Sequence, residues 1–360
     1  MSPAEHAQPL ASDLEAVLAA TTDLWDDVRG ARLFVTGGTG FFGCWLLETL
    51  LRADDALRLG VSIVVLSRDP QRFVVRAPHL AGHPAVTLLG GDMGSFRFPS
   101  SSFDAVIHAA TETGDPTVPA ADRLADPLQK FDSDLAGVRR ALELARQRGA
   151  RRFLFTSSGA VYGRQPPDLS HVPEDYRGAP DPLDVATAYG SAKRAGEFLC
   201  AGYRERYGLE TVVARCFAFV GPYLPLDGGY AIGDFIADAL AGGPVRVTGD
   251  GTPYRSYLYA ADLAVWLWTL LCRGTAGRAY NVGSDEALTI RELAQTVARV
   301  VAPTAKIVVE SRPREGVSAQ RYVPSVARAQ AELGLRRRVT LHDAIARTVA
   351  WHADQESRGG

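Results

Sequence analysis

The sequence predicts an α/β protein: a Rossmann-type doubly wound parallel sheet with a smaller C-terminal α/β lobe. Up to Phe219, short apolar strands alternate with amphipathic helices, a pattern typical of parallel sheets. A glycine-rich turn joins the first strand to the first of these helices. Beyond Phe219, glycine and proline cluster and the predicted elements become shorter. We therefore predict a helical extension at 1–30, a dinucleotide-binding domain at 31–219 and a partly interleaved substrate lobe at 220–360.

Local hydrophobic periodicity places the individual elements. Ser12 and Glu15 have the spacing of a capping box and predict a helix through about Trp25. In the first domain, the pattern predicts strands at 32–36, 62–66, 86–89, 105–108, 153–156 and 211–215, and helices at 41–52, 130–148 and 188–207. In the second lobe, it predicts strands at 245–247 and 256–259, and helices at 234–241, 260–272, 290–300 and 341–351.

Composition narrows the class of protein. Of the 360 residues, 46% are hydrophobic and 22% are charged, which excludes disorder as the main state. A net charge of −2 argues against a nucleic-acid partner. The four cysteines form no CxxC pair, so we expect no zinc site, no disulfide scaffold and a reducing cytoplasm. Acidic residues interrupt the N-terminal stretch, and the most apolar run, 263–272, is too short to span a bilayer, so we expect no membrane association.

Lysine is rare in this chain. Lys130, Lys193 and Lys306 are the only lysines among 39 basic residues, and arginine supplies the rest. Arginine-rich codon usage explains the imbalance in general. Because the two side chains are not equivalent, a position that keeps lysine is a candidate for lysine chemistry. Sequence alone suggests such a role for Lys193, and none for Lys130 or Lys306.

The glycine-rich turn has the spacing of a phosphate-binding loop. Gly37, Gly40 and Gly43 follow the strand 32–36 and open a helix. The first glycine permits a tight turn, the second lets the backbone approach a pyrophosphate, and the third allows close helix–strand packing. The helix N-terminus then offers free N–H groups to the phosphates. A Walker loop is excluded because no Lys-Ser/Thr pair follows, so the turn predicts a dinucleotide site.

The end of the second strand bears on the choice between NAD and NADP. NAD sites place an acid there to hold the ribose 2′-hydroxyl. Here Ser67 occupies that position and Arg68 follows, which slightly favours NADP because Arg68 can hold a 2′-phosphate. Asp69 is an alternative acid, displaced along the chain. The cofactor is therefore NAD or NADP.

Tyr189 and Lys193 stand at i and i+4, on one face of a predicted helix. A neighbouring lysine favours the phenolate and is expected to lower the pKa of the tyrosine from about 10, so that it can act as a general base or acid. Ser158 lies at the C-terminal end of a predicted strand, the side on which doubly wound sheets bind ligands. We expect its hydroxyl to hydrogen-bond the reacting oxygen.

Together these motifs resemble the extended short-chain dehydrogenase/reductase family, in its branch of nucleotide-sugar epimerases, dehydratases and reductases. The resemblance covers about 31–350 and is specific for the family, though not for one reaction. The segments that carry it are TGGTGFFG at 36–43, GD at 91–92, HAAT at 108–111, SSGAVYG at 157–163, YGSAK at 189–193, RSYLYAADL at 255–263 and YNVGS at 280–284.

The resemblance implies roles for individual residues. Ser158, Tyr189 and Lys193 match the catalytic set, and Lys193 also matches the lysine that holds the nicotinamide ribose. Arg255 and Arg314 match the arginines that grip a nucleotide-sugar diphosphate. Cofactor contacts are implied at Gly37, Gly40, Phe41, Phe42, Gly43, Ser67, Arg68, Asp92 (near the adenine), Ala109 and Ala110, and substrate contacts at Thr111 and Ser158. The family also implies a homodimer that pairs through the helices 130–148 and 188–207.

Several positions depart from the family pattern. Dehydratases carry an acid two or three residues before the tyrosine of VYG, where this chain has Gly159 and Ala160. Decarboxylases of UDP-glucuronate tend to carry Glu at the second of these positions. The substrate-contacting Asn of the RxFN motif is replaced by Ala218, and the Asn of the NxxGT motif by Asp134. These changes suggest a substrate outside the commonest UDP-hexoses.

The sequence therefore predicts a nucleotide-diphosphate-sugar epimerase that acts at C4 through transient hydride transfer to NAD(P). The main alternative is an NADPH-dependent reductase of nucleotide ketosugars, which would use the same three catalytic residues for one hydride transfer. A 4,6-dehydratase and a decarboxylase rank below these two. A reductase of non-sugar carbonyls does not need Arg255 or Arg314, and a non-catalytic regulator does not need the Ser-Tyr-Lys set.

Overall fold

The structure is a computed structural model that describes residues 10–111 and 126–359. Its strands are β1 (Arg32–Thr36), β2 (Ser62–Ser67), β3 (Val86–Gly90), β4 (Ala105–His108), β5 (Arg152–Ser158), β6 (Glu210–Cys216), β7 (Phe219–Val220), β8 (Val245–Val247), β9 (Tyr254–Arg255), β10 (Leu258–Tyr259), β11 (Ala279–Val282), β12 (Leu288–Thr289), β13 (Ile307–Val309) and β14 (Arg321–Tyr322). All six strands predicted in the first domain are present.

Helices flank both faces of the main sheet. They are α1 (Ala11–Ala20), α2 (Phe41–Leu57), α3 (Pro70–Arg76), α4 (Pro78–Ala81), α5 (Pro127–Gln147), α6 (Ala188–Tyr207), α7 (Ala231–Leu240), α8 (Ala260–Arg273), α9 (Ile290–Val301), α10 (Ala327–Leu333) and α11 (Leu341–Gly359). Two predicted helices are longer than expected, since α2 continues to Leu57 and α11 to Gly359. Of the strand predicted at 256–259, only Leu258–Tyr259 is a strand, β10, and a separate strand, β9, precedes it.

The main sheet has seven parallel strands in the order β11-β6-β5-β4-β1-β2-β3, which confirms the predicted doubly wound α/β fold. The chain builds outward from β1 in one direction and then returns to add β4 on the other side. This reversal opens a crevice at the C-terminal ends of β1 and β4, where open α/β sheets bind ligands. The sheet therefore directs the glycine-rich turn and the ends of β4 and β5 towards one crevice.

The central strands are buried on both faces, which explains their nearly continuous apolar sequences. In β4 all four residues are buried, and in β5 six of seven are buried. Helix α8 is equally apolar and is buried along almost its whole length. Tryptophans tie these layers together: the rings of Trp25 and Trp268 lie 5.5 Å apart, and the Trp268 indole N–H donates to Thr49 Oγ1 at 2.9 Å.

One strand of the region 220–360 belongs to the main sheet. Strand β11 pairs with β6 in parallel and forms one edge of the seven-stranded sheet. The other strands of this region form small separate sheets, β12-β9-β14 and β13-β8, and β10 pairs with β7. The division of the chain at residue 219 remains a prediction, and the structure places one segment of the later region in the earlier sheet.

The N-terminal extension is described from Leu10 onward, and the capping prediction there was wrong. Helix α1 begins at Ala11 with Leu10 as its N-cap and makes no side-chain capping bond. Glu15 instead pairs with Arg52 of α2. The helix ends at Ala20, well before Trp25, and a separate 3₁₀ turn follows at Trp25–Val28. Tertiary contacts, rather than a local cap, therefore fix this segment.

A buried carboxylate fastens the extension to the rest of the fold. Asp13 is almost fully buried and accepts a hydrogen bond of 2.5 Å from the Tyr259 hydroxyl. Its other oxygen accepts from Arg347 of α11. A buried charge is stable only when it is paired and hydrogen-bonded, and Asp13 meets both conditions. One carboxylate thus joins the first helix, the start of α8 and the last helix.

Two features are absent from the parts of the chain that the structure describes. No helix within 10–111 and 126–359 combines the length and apolarity needed to cross a bilayer. Within the same ranges, no three His, Cys, Asp or Glu side chains are grouped as a metal site requires.

Candidate functional site

The glycine-rich turn packs too tightly for side chains at two of its three glycines. Gly37 has a φ of +70°, and a Cβ there would lie 2.6 Å from the backbone of Ala109 and Ala110. A Cβ on Gly43 would lie 2.2 Å from the Gly38 Cα. The turn is therefore pressed against both the residues after β4 and the first turn of α2, and glycine is required on steric grounds.

Gly40, the second glycine of the turn, has open space next to it instead. Gly40 is the N-cap of α2, and no side chain in the described residues caps this helix. A Cβ on Gly40 would come no closer than 3.4 Å to the Gly37 carbonyl oxygen. Among the described residues, the space next to Gly40 at the start of α2 is therefore open, which fits the approach of a dinucleotide pyrophosphate. Phe41 and Phe42 form the first turn, and the Phe42 ring packs edge-on against Phe219 at 5.0 Å.

The predicted adenosine-side residues lie at the ends of β2 and β3. Ser67 is buried, and its hydroxyl accepts from the Asp69 N–H at 3.2 Å. Asp69 caps α3 by accepting from the Arg72 N–H at 3.0 Å, so one of its carboxylate oxygens is already engaged. Arg68 is exposed beside them. Asp92 is exposed too and accepts from the Gly94 N–H at 2.8 Å, in the turn after β3.

A buried histidine supports the glycine-rich turn from below. His108 Nδ1 lies 2.8 Å from Thr36 Oγ1, and the same hydroxyl accepts from the Ala110 N–H at 3.3 Å. Burial and, to a smaller extent, the charge of Lys193 together lower the pKa of His108 to about 3. His108 is therefore neutral at physiological pH and acts as a structural hydrogen-bonding group.

Helix α6 presents Tyr189 and Lys193 to the crevice. Lys193 is buried, and its Nζ donates to the Thr156 carbonyl oxygen of β5 at 3.0 Å. The same Nζ lies 5.7 Å from the centre of the Tyr189 ring. Burial lowers the pKa of Lys193, while the nearby carboxylate of Asp134 opposes that shift. The structure thus brings the predicted pair together at the C-terminal edge of the sheet.

The expected pKa shift of Tyr189 has the wrong sign. We expected Lys193 to lower the pKa, but burial raises it, and the neighbouring Tyr322 phenol adds to that rise. A hydrogen bond with the Ser158 side chain works in the opposite direction without reversing it. Desolvation of the phenolate outweighs a cation at this distance. Any base chemistry at Tyr189 therefore needs further stabilisation of the negative charge.

The Ser158 side chain lies next to the hydroxyl groups of Tyr189 and Tyr322. Ser158 ends β5, caps the 3₁₀ turn Gly159–Tyr162 and accepts from the Ala160 N–H at 3.2 Å. Its Oγ is also 3.3 Å from the Tyr322 hydroxyl. Sequence reasoning missed Tyr322, because β14 reaches the site only through its pairing with β9. No local motif around Tyr322 signals that pairing.

The two predicted diphosphate arginines have different settings. The pairing of β9 with β14 places Arg255 opposite Tyr322, with the guanidinium 5.9 Å from the centre of that ring. Arg255 is therefore a neighbour of the Ser158 hydroxyl cluster. Arg314 is exposed in the loop after β13. Hydrogen bonds from Thr252 lower the pKa of Asp250, and the charge of Arg314 acts weakly in the same direction. That Arg255 and Arg314 bind one diphosphate together remains a prediction.

A second lysine lies over the Tyr189 ring, a contact that sequence reasoning also missed. The Nζ of Lys130, on α5, lies 4.8 Å from the centre of the Tyr189 ring. It also lies 3.3 Å from an Asp134 carboxylate oxygen, and the Thr111 hydroxyl donates to the other oxygen of that carboxylate at 3.0 Å. The rarity of lysine was the only available signal.

The space for the missing acid is occupied. A Cβ on Gly159 would lie 2.7 Å from the Phe217 ring and 2.9 Å from the Tyr322 hydroxyl. The rings of Phe217 and Tyr322 pack against each other at 4.7 Å. A carboxylate at this position would require both aromatic side chains to move. The absence of an acid at Gly159 is thus built into the packing of the site.

Comparison with known proteins agrees with this geometry. A sequence model of the "NAD dependent epimerase/dehydratase family" matches residues 33–283. The chain is 29% identical to UDP-glucuronic acid decarboxylase 6 of Arabidopsis thaliana over 316 residues, which cover 87% of this chain and 86% of that protein.

Solved structures show the same fold. A dTDP-glucose 4,6-dehydratase of Streptomyces venezuelae, solved with NAD, superposes with a TM-score of 0.73 at 25% identity, covering 91% of this chain and 98% of that one. A UDP-glucose 4-epimerase of Thermotoga maritima, solved with UDP-glucose, gives a TM-score of 0.73 at 20% identity, covering 90% and 99%. The chain belongs to the NAD dependent epimerase/dehydratase family, whose members are enzymes of the extended short-chain dehydrogenase/reductase type.

Proposed function

We propose that this protein is a nucleotide-diphosphate-sugar epimerase that acts at C4 through transient hydride transfer. One observation carries the proposal. Ser158, Tyr189 and Lys193 meet at the crevice of the sheet, and neither residue 159 nor residue 160 supplies a carboxylate. The site has the groups needed to oxidise and reduce a carbinol, but not the acid needed for elimination.

Each residue of the set has a distinct task. Bound NAD or NADP would supply a hydride acceptor that later returns the hydride. Tyr189 takes the proton of the sugar hydroxyl, which we take to be O4, and gives it back after the ketosugar has turned over. Ser158 donates a hydrogen bond to that oxygen as it becomes a carbonyl. Lys193, fixed by the Thr156 carbonyl at 3.0 Å, holds the cofactor ribose and keeps a cation beside the phenol.

The substrate class follows from the arginines and from the relatives. Arg255 lies beside the Ser158–Tyr322 cluster, where a guanidinium can hold a diphosphate through paired hydrogen bonds. Arg314, in the loop after β13, is proposed as its partner, and Thr111 as a contact to the sugar. The decarboxylase and epimerase relatives are named for UDP-linked sugars, which supports a nucleotide-diphosphate sugar as substrate.

Decarboxylation and 4,6-dehydration are less well supported, although the relatives include enzymes named for both. Both reactions in this family are associated with an acid before the VYG tyrosine. This chain has Gly159 and Ala160 there, and the Phe217 and Tyr322 side chains fill the space next to Gly159. The lack of a carboxylate at both positions, together with the packing next to Gly159, therefore favours a reaction that needs no acid before the VYG tyrosine.

A single-transfer reductase is the second candidate, and one observation favours it. The end of β2 offers Ser67 and the exposed Arg68 in place of a free ribose-binding acid, and Asp69 is engaged in capping α3. This arrangement suits the 2′-phosphate of NADP, the cofactor that reductases consume. If the protein binds NADPH far more tightly than NADH, this candidate gains weight.

The proposed function is tested by incubating the purified protein with UDP- and dTDP-hexoses without added cofactor. We expect interconversion of C4 epimers, seen by NMR of the sugar protons, and its loss in Tyr189→Phe. Tyr207→Phe, on the same helix but far along it, is the matched control and should retain activity. In a parallel reaction a nucleotide 4-ketohexose is offered with NADPH. Its reduction with one NADPH consumed per product, while the hexoses are not interconverted, would show a reductase instead.

We also propose that the protein forms a homodimer through α5 and α6. Large apolar side chains are exposed along these helices and the turn before α6, including Phe198 at 76%, Leu183 at 92% and Leu128 at 70%. Large exposed apolar side chains that are concentrated on neighbouring elements are typical of association surfaces. Light scattering should give twice the chain mass for the wild type and a monomer for Phe198→Glu. Val75→Glu, at an exposed apolar position on α3, is the control and should leave the dimer intact.

A further inference from the structure

Two of the chain's three lysines lie against the same tyrosine. The Nζ of Lys130 is 4.8 Å from the centre of the Tyr189 ring, closer than the 5.7 Å of Lys193. The two ammonium groups come from different helices, α5 and α6. The third lysine, Lys306, is exposed just before β13. In a chain that uses arginine almost everywhere else, this placement needs an explanation.

A buried carboxylate holds the Lys130 side chain in place. This side chain is only 22% exposed, and its Nζ lies 3.3 Å from a carboxylate oxygen of buried Asp134, one helical turn along α5. The Thr111 hydroxyl donates to both oxygens of the same carboxylate, at 3.0 and 3.1 Å. The carboxylate is thus fixed by the segment after β4 and in turn fixes the ammonium over the ring.

A cation above an aromatic ring is attracted to its face, and the attraction grows when the ring carries negative charge. Lysine suits this position because its charge is compact, whereas a guanidinium spreads its charge over a planar fork. The interaction is stronger in a partly buried site, where water screens it less. Loss of the phenolic proton at Tyr189 is therefore favoured by the ammonium group of Lys130.

We infer that Lys130 is a positioning residue for the proposed catalytic Tyr189: its ammonium, anchored by Asp134, stabilises the phenolate that accepts the substrate proton. This inference rests on the proposed role of Tyr189. It also explains how a tyrosine whose ionisation is opposed by burial can act as a base near neutral pH. Lys193 then serves mainly the ribose and the Thr156 carbonyl, and Lys130 supplies the nearer of the two lysine cations.

The groups that face Tyr189 come from four elements, and all of them bear on its titration. Lys130 and Lys193 favour the phenolate, whereas the negative charge of Asp134 and the groups on the neighbouring strands oppose it. The charged or titratable neighbours are Lys193 of α6, Lys130 and Asp134 of α5, Cys216 of β6 and Tyr322 of β14. Among them, Lys130 is the cation whose removal leaves the fixed contact between Lys193 and β5 intact.

The test compares the pH dependence of turnover in Lys130→Gln, Lys130→Arg and Lys306→Met. Gln removes the charge but still donates to Asp134, Arg keeps a charge over the ring, and Lys306→Met controls for loss of a lysine elsewhere. We expect the acid limb of kcat/KM to move up by about one pH unit in Lys130→Gln, about a tenfold loss of rate on that limb. Lys130→Arg should recover most of the shift, and Lys306→Met should show none.

A second readout separates this inference from the proposed function. The ¹³Cζ resonance of Tyr189, in protein labelled at that carbon and assigned with Tyr189→Phe, reports ionisation without any substrate. It should begin to titrate at a lower pH in the wild type than in Lys130→Gln or, if that variant does not fold, Lys130→Met. An unchanged titration and an unchanged pH profile in folded Lys130→Gln would overturn the inference, even if the wild type is an active epimerase. A shifted titration supports it even if no nucleotide sugar is turned over.

Discussion

The glycine-rich turn allows fold and cofactor binding to be separated by two substitutions of the same kind. Gly43→Ala would place a methyl 2.2 Å from the Gly38 Cα and 2.3 Å from the Gly37 carbonyl oxygen, both of them backbone atoms that cannot rotate away. Gly40→Ala would meet only the Gly37 carbonyl oxygen at 3.4 Å, an ordinary contact. The two positions are one helical turn apart, so they share most of their surroundings.

The loss of stability expected for Gly43→Ala follows from its steric clash with the backbone. Overpacking of a close backbone contact costs about 1–3 kcal/mol or more, and the helix preference of alanine over glycine returns about 1 kcal/mol. Gly43→Ala should therefore lower the free energy of unfolding by about 2 kcal/mol. Gly40→Ala replaces glycine at an N-cap whose φ of −89° any residue can adopt, so its cost should stay below about 1 kcal/mol.

The free energy of unfolding is measured by urea denaturation, followed by tryptophan fluorescence. The affinity for the dinucleotide is measured by titration with NAD(H) or NADP(H). We expect Gly40→Ala to unfold near the wild-type midpoint but to bind the dinucleotide at least tenfold more weakly, because its methyl enters the space proposed for the pyrophosphate. The reasoning fails if Gly43→Ala is as stable as Gly40→Ala, or if Gly40→Ala binds the dinucleotide as tightly as the wild type.

Three further predictions concern buried polar groups. Arg215→Leu should cost about 3 kcal/mol in urea denaturation, because it leaves the partly buried Glu197, which lies 2.7 Å from the guanidinium, charged without that partner, although the Ser157 hydroxyl still donates to it. Tyr259→Phe should cost about 1–3 kcal/mol by the same measurement, because Asp13 loses a 2.5 Å hydrogen bond. His108 has a pKa of about 3 in the fold against about 6.5 when unfolded, so only the unfolded chain takes up its proton as the pH falls below 6.5. The wild type should therefore lose about 2 kcal/mol of stability between pH 6.5 and pH 5, and the loss should be smaller in His108→Gln, measured as denaturation midpoints across that range.

The main sheet was predictable because buried parallel strands leave a strong local signal. Each of the strands β1, β4 and β5 contains three consecutive apolar residues, and the turn at Gly37 follows β1 directly. Strand β11 escaped prediction because Asn281 interrupts its four residues, so that no apolar run is visible, and its place in the sheet depends on pairing with β6. Only tertiary structure supplies that information.

The candidate site divides along the same line. Tyr189 and Lys193 were accessible to prediction because one helical turn separates them. Tyr322 and Lys130 were not, since Tyr322 arrives through the pairing of β14 with β9 and Lys130 through the packing of α5 against α6. The sign of the Tyr189 pKa shift was mistaken for a related reason, because the sequence shows the neighbouring charge but not the burial that outweighs it.

The central claim is that one hydride leaves the sugar and returns to the same carbon. It is tested by incubating the purified enzyme, without added nicotinamide, with a nucleotide hexose that carries deuterium at C4. We expect a C4 epimer that retains the deuterium at C4, with no product from Tyr189→Phe. A C4 epimer that has lost the deuterium would contradict the proposed mechanism, and so would the absence of any epimer while a nucleotide 4-ketohexose is reduced with one NADPH consumed per product.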